Sequence, residues 1–137
     1  MTKIKNKNRG TSIVLAANSS PTLNDITFSE LTGILDKVSE IDPVLHRAIQ
    51  EKKLISVSTG NASPCINLLR VNETCAKLAE TADFLVLIGV GRGVLTNYYA
   101  NFTCDSLRLA VIKNESIAHF LGGSNFDAVC HFEQKNV

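Results

Sequence analysis

Phe84-Leu85-Val86-Leu87-Ile88 is an unbroken run of five apolar residues, closed at once by Gly89. Five residues are too few for a buried helix, and no polar residue alternates with the apolar ones. Such a run is expected of a strand in a parallel sheet whose two faces are both covered. Four more short runs, Ser12–Ala16, Leu54–Ser58, Leu107–Ile112 and Asp127–Phe132, read as further strands.

Helix signals lie between the strands. Thr27-x-x-Glu30 is a capping box that opens a helix with Leu31, Ile34, Leu35 and Val38 on one face. Asp42-Pro43 starts the next, because Asp caps and Pro suits the first turn; Val44, Leu45, Ala48 and Ile49 form its buried stripe. Asn72 caps a helix reaching about Thr81, and Asn114 caps a short one that Gly122-Gly123 ends. The alternation predicts an α/β fold, a mostly parallel sheet with helices on both faces. With 137 residues the chain suffices for one domain. Residues 1–10 read as a basic polar tail and 11–137 as the domain. Only that tail precedes the first strand, so an upstream βα unit is expected to cover it. The reading is therefore the C-terminal portion of a larger α/β domain.

Net charge is +1, which argues against a dominant nucleic-acid footprint. Lys3, Lys5, Lys7 and Arg9 have no apolar stretch after them, so no secretory signal is expected; no run is long enough to span a membrane. That basic run reads as the solvated last turn of a helix stopped by Gly10, with a weak nuclear-import patch as the alternative. Cys65, Cys75, Cys104 and Cys130 form no C-x-x-C pair and have no histidine at zinc spacing. Free, mostly buried thiols in a reducing cytoplasm are the expectation.

Three polar segments follow strands, where open α/β sheets keep their ligands. The first, Ala17 to Thr27, carries Asn18, Ser19, Ser20, Asn24 and Asp25. One carboxylate, two carboxamides and two hydroxyls suit a hard cation or a phosphate. The second, Ser58 to Cys65, is small and hydroxyl-rich, and reads equally as a crevice lining or a turn. The third, Gly89-Val90-Gly91-Arg92-Gly93, invites a dinucleotide reading, but Val94 stands where the third glycine of that fingerprint belongs. Its narrower content is close backbone approach and an arginine fork for phosphate. Lys113 ends a strand, where it either faces a bound anion or pairs with Glu115.

The blocks A-A-N-S-S-P-T-L-N-D-I-T, I-D-P-V-L-H-R-A-I-Q-E-K-K-L, S-T-G-N-A-S-P-C-I-N-L, T-N-Y-Y-A-N-F-T-C-D-S-L-R-L-A-V-I-K-N and A-H-F-L-G-G-S-N-F-D-A-V-C-H-F-E carry a resemblance over about Arg9 to Glu133. In that order they resemble the metal-dependent damage-control phosphatase family, in the branch that follows pantothenate-kinase-like domains. The resemblance implies a phosphatase acting on 4'-phosphopantetheine and related phosphometabolites. It implies a divalent ion (Mn, Mg, Ni or Co), an upstream kinase-like domain in the parent chain, and no nucleic-acid or membrane partner. Asp25 matches a metal ligand and catalytic group; Arg92 and Lys113 match cations that balance charge on the phosphate. Asn18, Ser19, Asn24, Gly91 and Arg108 match positions expected to line the substrate.

Two departures qualify the implied activity. The family's upstream Asp-Asn metal pair has no counterpart, and its E-G-M-G-R signature reads Ile88-Gly89-Val90-Gly91-Arg92, with Ile88 for the acid. The expectation is a chain inactive by itself, with a non-catalytic binding or regulatory protein as the alternative.

Overall fold

The computed structural model describes residues 10–135. The basic stretch at Lys3–Arg9, and the helical turn expected there, lie outside them. The elements run β1 (Ile13–Ala17), α1 (Phe28–Ser39), α2 (Pro43–Gln50), β2 (Leu54–Ser58), α3 (Glu73–Glu80), β3 (Phe84–Ile88), β4 (Asp105–Val111), α4 (Glu115–Leu121) and β5 (Ala128–Glu133). A short 3-10 turn (Leu68–Arg70) precedes α3, and a π-helical turn (Val90–Leu95) follows β3.

Local chemistry sets the helix starts. The Thr27 hydroxyl accepts from the Glu30 amide at 3.2 Å, and the Thr27 amide donates to Glu30 Oε2 at 2.9 Å. Asp42 Oδ1 accepts from the amides of Val44 and Leu45. Asn72 and Asn114 cap α3 and α4 in the same way. Gly122, at φ +68°, ends α4 in the left-handed conformation that glycine adopts without strain.

The fold class is α/β, as the alternation requires, but the strands form two sheets. In the first, β1 pairs in parallel with β2, from Ile13 opposite Leu54 to Ala17 opposite Ser58. In the second, β3 pairs in parallel with β4, and β5 pairs antiparallel with β4. The reversal of β5 is the antiparallel exception in a mostly parallel fold, and it has a local cause. The Ile112 amide donates to Asp127 O and the Phe126 amide to Ile112 O, so the chain leaves and re-enters at the same end of β4. The α4 excursion is thus a loop on a hairpin and not a crossover.

One face of the second sheet packs a core of Val94, Ile112, Ile117 and Ala118, flanked by Val90, Tyr98, Ala110, Leu121 and Val129. Around the first sheet only Ala17, Leu54 and Val57 are buried apolar residues on the strands, and neither α1 nor α2 has a fully buried residue.

Where the loops that follow β1, β2 and β3 meet, side chains join the two sheets. Arg92 Nη2 donates to Asn18 Oδ1, Asn97 Nδ2 donates to Ile66 O, and Gly91 sits directly on Pro64. A Cβ on Gly91 would fall 2.2 Å from Pro64 O.

Two outcomes are expected. Gly91→Ala must push the Pro64 loop away and should lower stability by about 1–3 kcal/mol, read from urea midpoints. The Glu30 carboxyl is held below its ordinary range by the Thr27 amide and then the Thr27 hydroxyl, against slight desolvation. Its folded-state affinity for a proton is depressed, so its stabilisation is full above the ordinary carboxylate range and lost as pH falls through the lowered value. Denaturation curves should show Glu30→Gln removing that acid-side component, and an unchanged pH profile would refute the linkage.

Candidate anion and half-metal site

Asp25 and Arg92 come from loops 67 residues apart and meet as an ion pair, Arg92 Nη2 to Asp25 Oδ2 at 2.9 Å. About a quarter of each side chain remains exposed, so solvent and solutes reach the pair. A partly screened pair of this kind is worth on the order of 1 kcal/mol. Its importance is therefore geometric.

Each partner is aimed by its own loop. Asp25 closes a tight turn in which its amide donates to Thr22 O at 3.0 Å. Leu23 sits at φ +50° in that turn, a left-handed conformation that costs a non-glycine residue about 1–2 kcal/mol. Strain of this sort concentrates where a side chain must be aimed. Arg92 rises from the π-helical turn, which Gly89 opens at φ +107° as the chain leaves β3. Single-turn π segments of this kind are frequent at functional sites.

Asn18 completes the cluster. It is 1% exposed, donates to Ser63 O at 3.2 Å, and offers Oδ1 to Arg92 Nη2 at 3.3 Å. Ser19 donates both its amide and its hydroxyl to Asn61 O, which fastens the first polar loop to the second. Asn24 lies exposed beside Asp25. Gly91 contributes its lack of a side chain, as the Pro64 contact requires. The structure thus brings together Asn18, Ser19, Asp25, Gly91 and Arg92 from the sequence expectation.

Two expected site residues lie apart from that cluster. Lys113 is exposed just beyond β4, at the same sheet end as Gly89, and makes no ion pair among the described residues. Arg108 is 0% exposed, with its donors turned inward. Nε donates to Asn97 O at 2.9 Å, Nη1 to Ser106 Oγ at 3.1 Å and Nη2 to Ala100 O at 2.6 Å. Glu133 Oε2 stands 2.9 Å from Nη2, an ion contact whose angles fall short of a hydrogen bond. The Phe102 ring lies 5.5 Å beneath the guanidinium. In this geometry Arg108 braces the 97–100 turn, with no donor directed at the Asp25–Arg92 pair.

Asn97, which the sequence places in the segment after the glycine loop without a role, is a site-building residue. It is 5% exposed, and its Nδ2 reaches Arg92 O at 2.9 Å and Ile66 O at 3.1 Å. A single carboxamide in a loop carries no pattern that marks it as a clamp. A cleft of about 350 Å³ adjoins it, walled by Asn61, Ser63, Cys65, Asn67 and Thr96 among others. A larger cavity, about 430 Å³, lies elsewhere between Tyr98, α4 and β5.

The donor set tests the metal expectation. A hard divalent cation takes six or more oxygens, usually with more than one carboxylate or water-rich coordination. Here one carboxylate and one carboxamide oxygen converge, and both already face the Arg92 cation. Among the described residues no three of His, Cys, Asp or Glu are clustered to hold a metal. These residues alone do not fit the ion. Cysteine chemistry finds no support either. Cys75 and Cys104 are buried, Cys65 is half-buried and Cys130 exposed, and burial raises the Cys75 and Cys104 thiols above their ordinary range. The dinucleotide alternative fails at Val94, which is 5% exposed within the core.

Comparison with known proteins agrees with this architecture. The structure superposes on a DUF89 family protein (PH1575) of Pyrococcus horikoshii with a TM-score of 0.65, covering 92% of this chain and 38% of that one at 22% identity. That likeness supports the fold. The damage-control phosphatase At2g17340 of Arabidopsis thaliana is 42% identical over 126 residues, 92% of this chain and 34% of the relative. The 4'-phosphopantetheine phosphatase of Mus musculus is 30% identical, covering 91% of this chain and 21% of its own length. Pantothenate kinase 2 of Oryza sativa subsp. japonica is 37% identical, over 90% and 16% respectively. The chain thus spans about a third or less of these relatives. Residues 1–129 match the damage-control phosphatase ARMT1-like domain, and the chain belongs to that family.

Proposed function

We propose that this chain supplies one wall of a phosphate-ester site in a damage-control phosphatase acting on 4'-phosphopantetheine or a related phosphometabolite. The carrying observation is the Arg92–Asp25 pair at 2.9 Å, held by three separate loops and open to solution. The family and the name of the mouse relative support the substrate class.

The roles follow from the side chains present. Arg92 carries a planar fork of donors that matches phosphate geometry. Asp25 balances that charge while the site is empty of anion. An arriving phosphate dianion competes with the carboxylate for the guanidinium, and Asn18, anchored on Ser63 O, keeps Arg92 from swinging away. Lys113, at the same sheet end, adds positive potential that draws an anion in. A divalent ion, if held, would supply water activation and charge for a phosphate oxygen; Asp25 and Asn18 would face it, but this donor set does not hold such an ion alone. The chain by itself is therefore read as a binding half-site and not a working hydrolase, and a regulatory role in phosphometabolite binding is the second reading. Ile88 favours the latter. It stands where the family signature has an acid, and its carbonyl oxygen accepts from Arg92 Nη1 at 3.5 Å. The four free cysteines suit a reducing, cytoplasmic setting.

Two measurements test this. With an upstream family segment carrying the Asp-Asn pair appended, the chain should hydrolyse 4'-phosphopantetheine in the presence of Mn, Mg, Ni or Co. Asp25→Ala in that background should lower turnover at least about 100-fold with the fold intact by circular dichroism; unchanged turnover would sink the ligand assignment. Ile88→Glu in the same background should raise turnover. No gain would mean that Ile88 is not the limiting departure and would strengthen the regulatory reading.

A further inference from the structure

Asn97 is clamped through its side-chain nitrogen and open at its side-chain oxygen. Nδ2 donates to Ile66 O, Arg92 O and Thr96 Oγ1. That fixes the orientation of the carboxamide, because the opposite one would set its oxygen against two carbonyls. Oδ1 accepts no hydrogen bond among the described residues, although only 5% of the residue is exposed. Among those residues Glu133 Oε2 is the one fully buried side-chain oxygen or nitrogen without a hydrogen-bond partner. Asn97 Oδ1 therefore keeps a narrow opening, and it opens on the cleft of about 350 Å³ that Asn97 lines. A nearly buried acceptor of this kind calls for a donor. Water can serve, and a ligand that displaces water must replace its hydrogen bond.

The rest of the lining narrows the ligand. No charged side chain walls the cleft, so it offers nothing to a phosphate or a carboxylate. Asn61 is spent internally, with Nδ2 on Thr59 O and Oδ1 accepting from the Asn67 amide. Asn67 Oδ1 accepts from the Leu69 amide, and its Nδ2 has no partner among the described residues. Ile66 and Leu68 add aliphatic wall. One acceptor, one spare donor and aliphatic surface suit a chain bearing amides. A polyhydroxylated sugar would need a denser set of polar partners. The volume lies within the range of small-molecule sites, roughly 300–1,000 Å³.

Shared residues tie the cleft to the phosphate anchor. Ser63 walls it, and Ser63 O holds Asn18, which accepts from Arg92. Asn97 itself holds Arg92 O. We propose that this cleft is the subsite for an uncharged, amide-bearing arm of the phosphate ester, with Asn97 Oδ1 accepting from an amide N–H of that arm. The inference rests on the reading of Arg92 as the phosphate anchor, and adds to it what selects among esters. An arm without an N–H leaves the buried oxygen unpaired and binds more weakly.

The test uses this chain and three probes: inorganic phosphate, S-methylated 4'-phosphopantetheine, and the phosphate monoester of an ethylene-glycol chain of equal length, which has acceptors but no N–H. Side-chain NMR signals of Arg92 and Asn97 are followed in each titration, together with alkylation of Cys65, on the cleft wall, by N-ethylmaleimide. All three probes should shift Arg92. The amide ester should bind at least about 10-fold more tightly than the glycol ester. It should also shift the Asn97 carboxamide and slow alkylation of Cys65, while the exposed Cys130, outside the cleft, reacts as before. Alkylating Cys65 beforehand in a folded Cys130→Ser chain blocks the cleft. That should abolish the preference between esters and leave the affinity for inorganic phosphate within about twofold. Equal affinity for the two esters, an unmoved Asn97, an unprotected Cys65, or a preference that survives alkylation would overturn the subsite, with the Arg92 response still upholding the anchor. No response of Arg92 to any probe would overturn the anchor, and the subsite with it.

Discussion

Everything functional in this chain depends on how loops at the strand ends hold two sheets together. Among the described residues the sheets share no hydrogen-bonded strand pair, so their alignment rests on side-chain and loop contacts: Gly91 on Pro64, Arg92 on Asn18, and Asn97 joining Ile66 to Arg92. Loop contacts of this kind are individually modest, about 1 kcal/mol for a hydrogen bond. Their value lies in convergence. They bring a carboxylate from the first polar loop within 2.9 Å of a guanidinium from the third.

Arg108 gives the same seam its stiffness from beneath. A fully buried guanidinium is tolerable only when its donors are occupied, and here three backbone or hydroxyl acceptors and the Glu133 carboxylate surround it. It holds Asn97 O and Ala100 O, and Asn97 in turn holds Arg92 O. Arg108 thus acts on the site through one intervening residue. Arg92, on the exposed side of the same network, is left free to exchange partners.

The uneven burial of the chain has the same root. Core formation is strong on the side of the second sheet covered by Val94, Ile112 and α4, and weak elsewhere. The faces left open belong to β3, β4 and β5, of which β3 alone is apolar throughout. Ile88 lies on that surface and is 65% exposed.

Elements were legible in the sequence because their signals are local. The capping box at Thr27 and Glu30, the Asp42-Pro43 start, the Asn114 cap and the Gly122 stop each act within one turn, and the observed boundaries follow them. The fold family was legible too, through ordered blocks along the chain. Pairing direction was not: β5 reads like any other strand, and only the return of Phe126 and Asp127 onto Ile112 reverses it. Nor was the fate of the charged groups. Asp25, Arg92, Lys113 and Arg108 are alike in the sequence as candidate site residues. Tertiary packing made Arg108 a buried brace, left Lys113 in solvent and joined Asp25 to Arg92. A charge takes its role from which acceptors surround it and how much water it keeps, and those are set by residues tens of positions away.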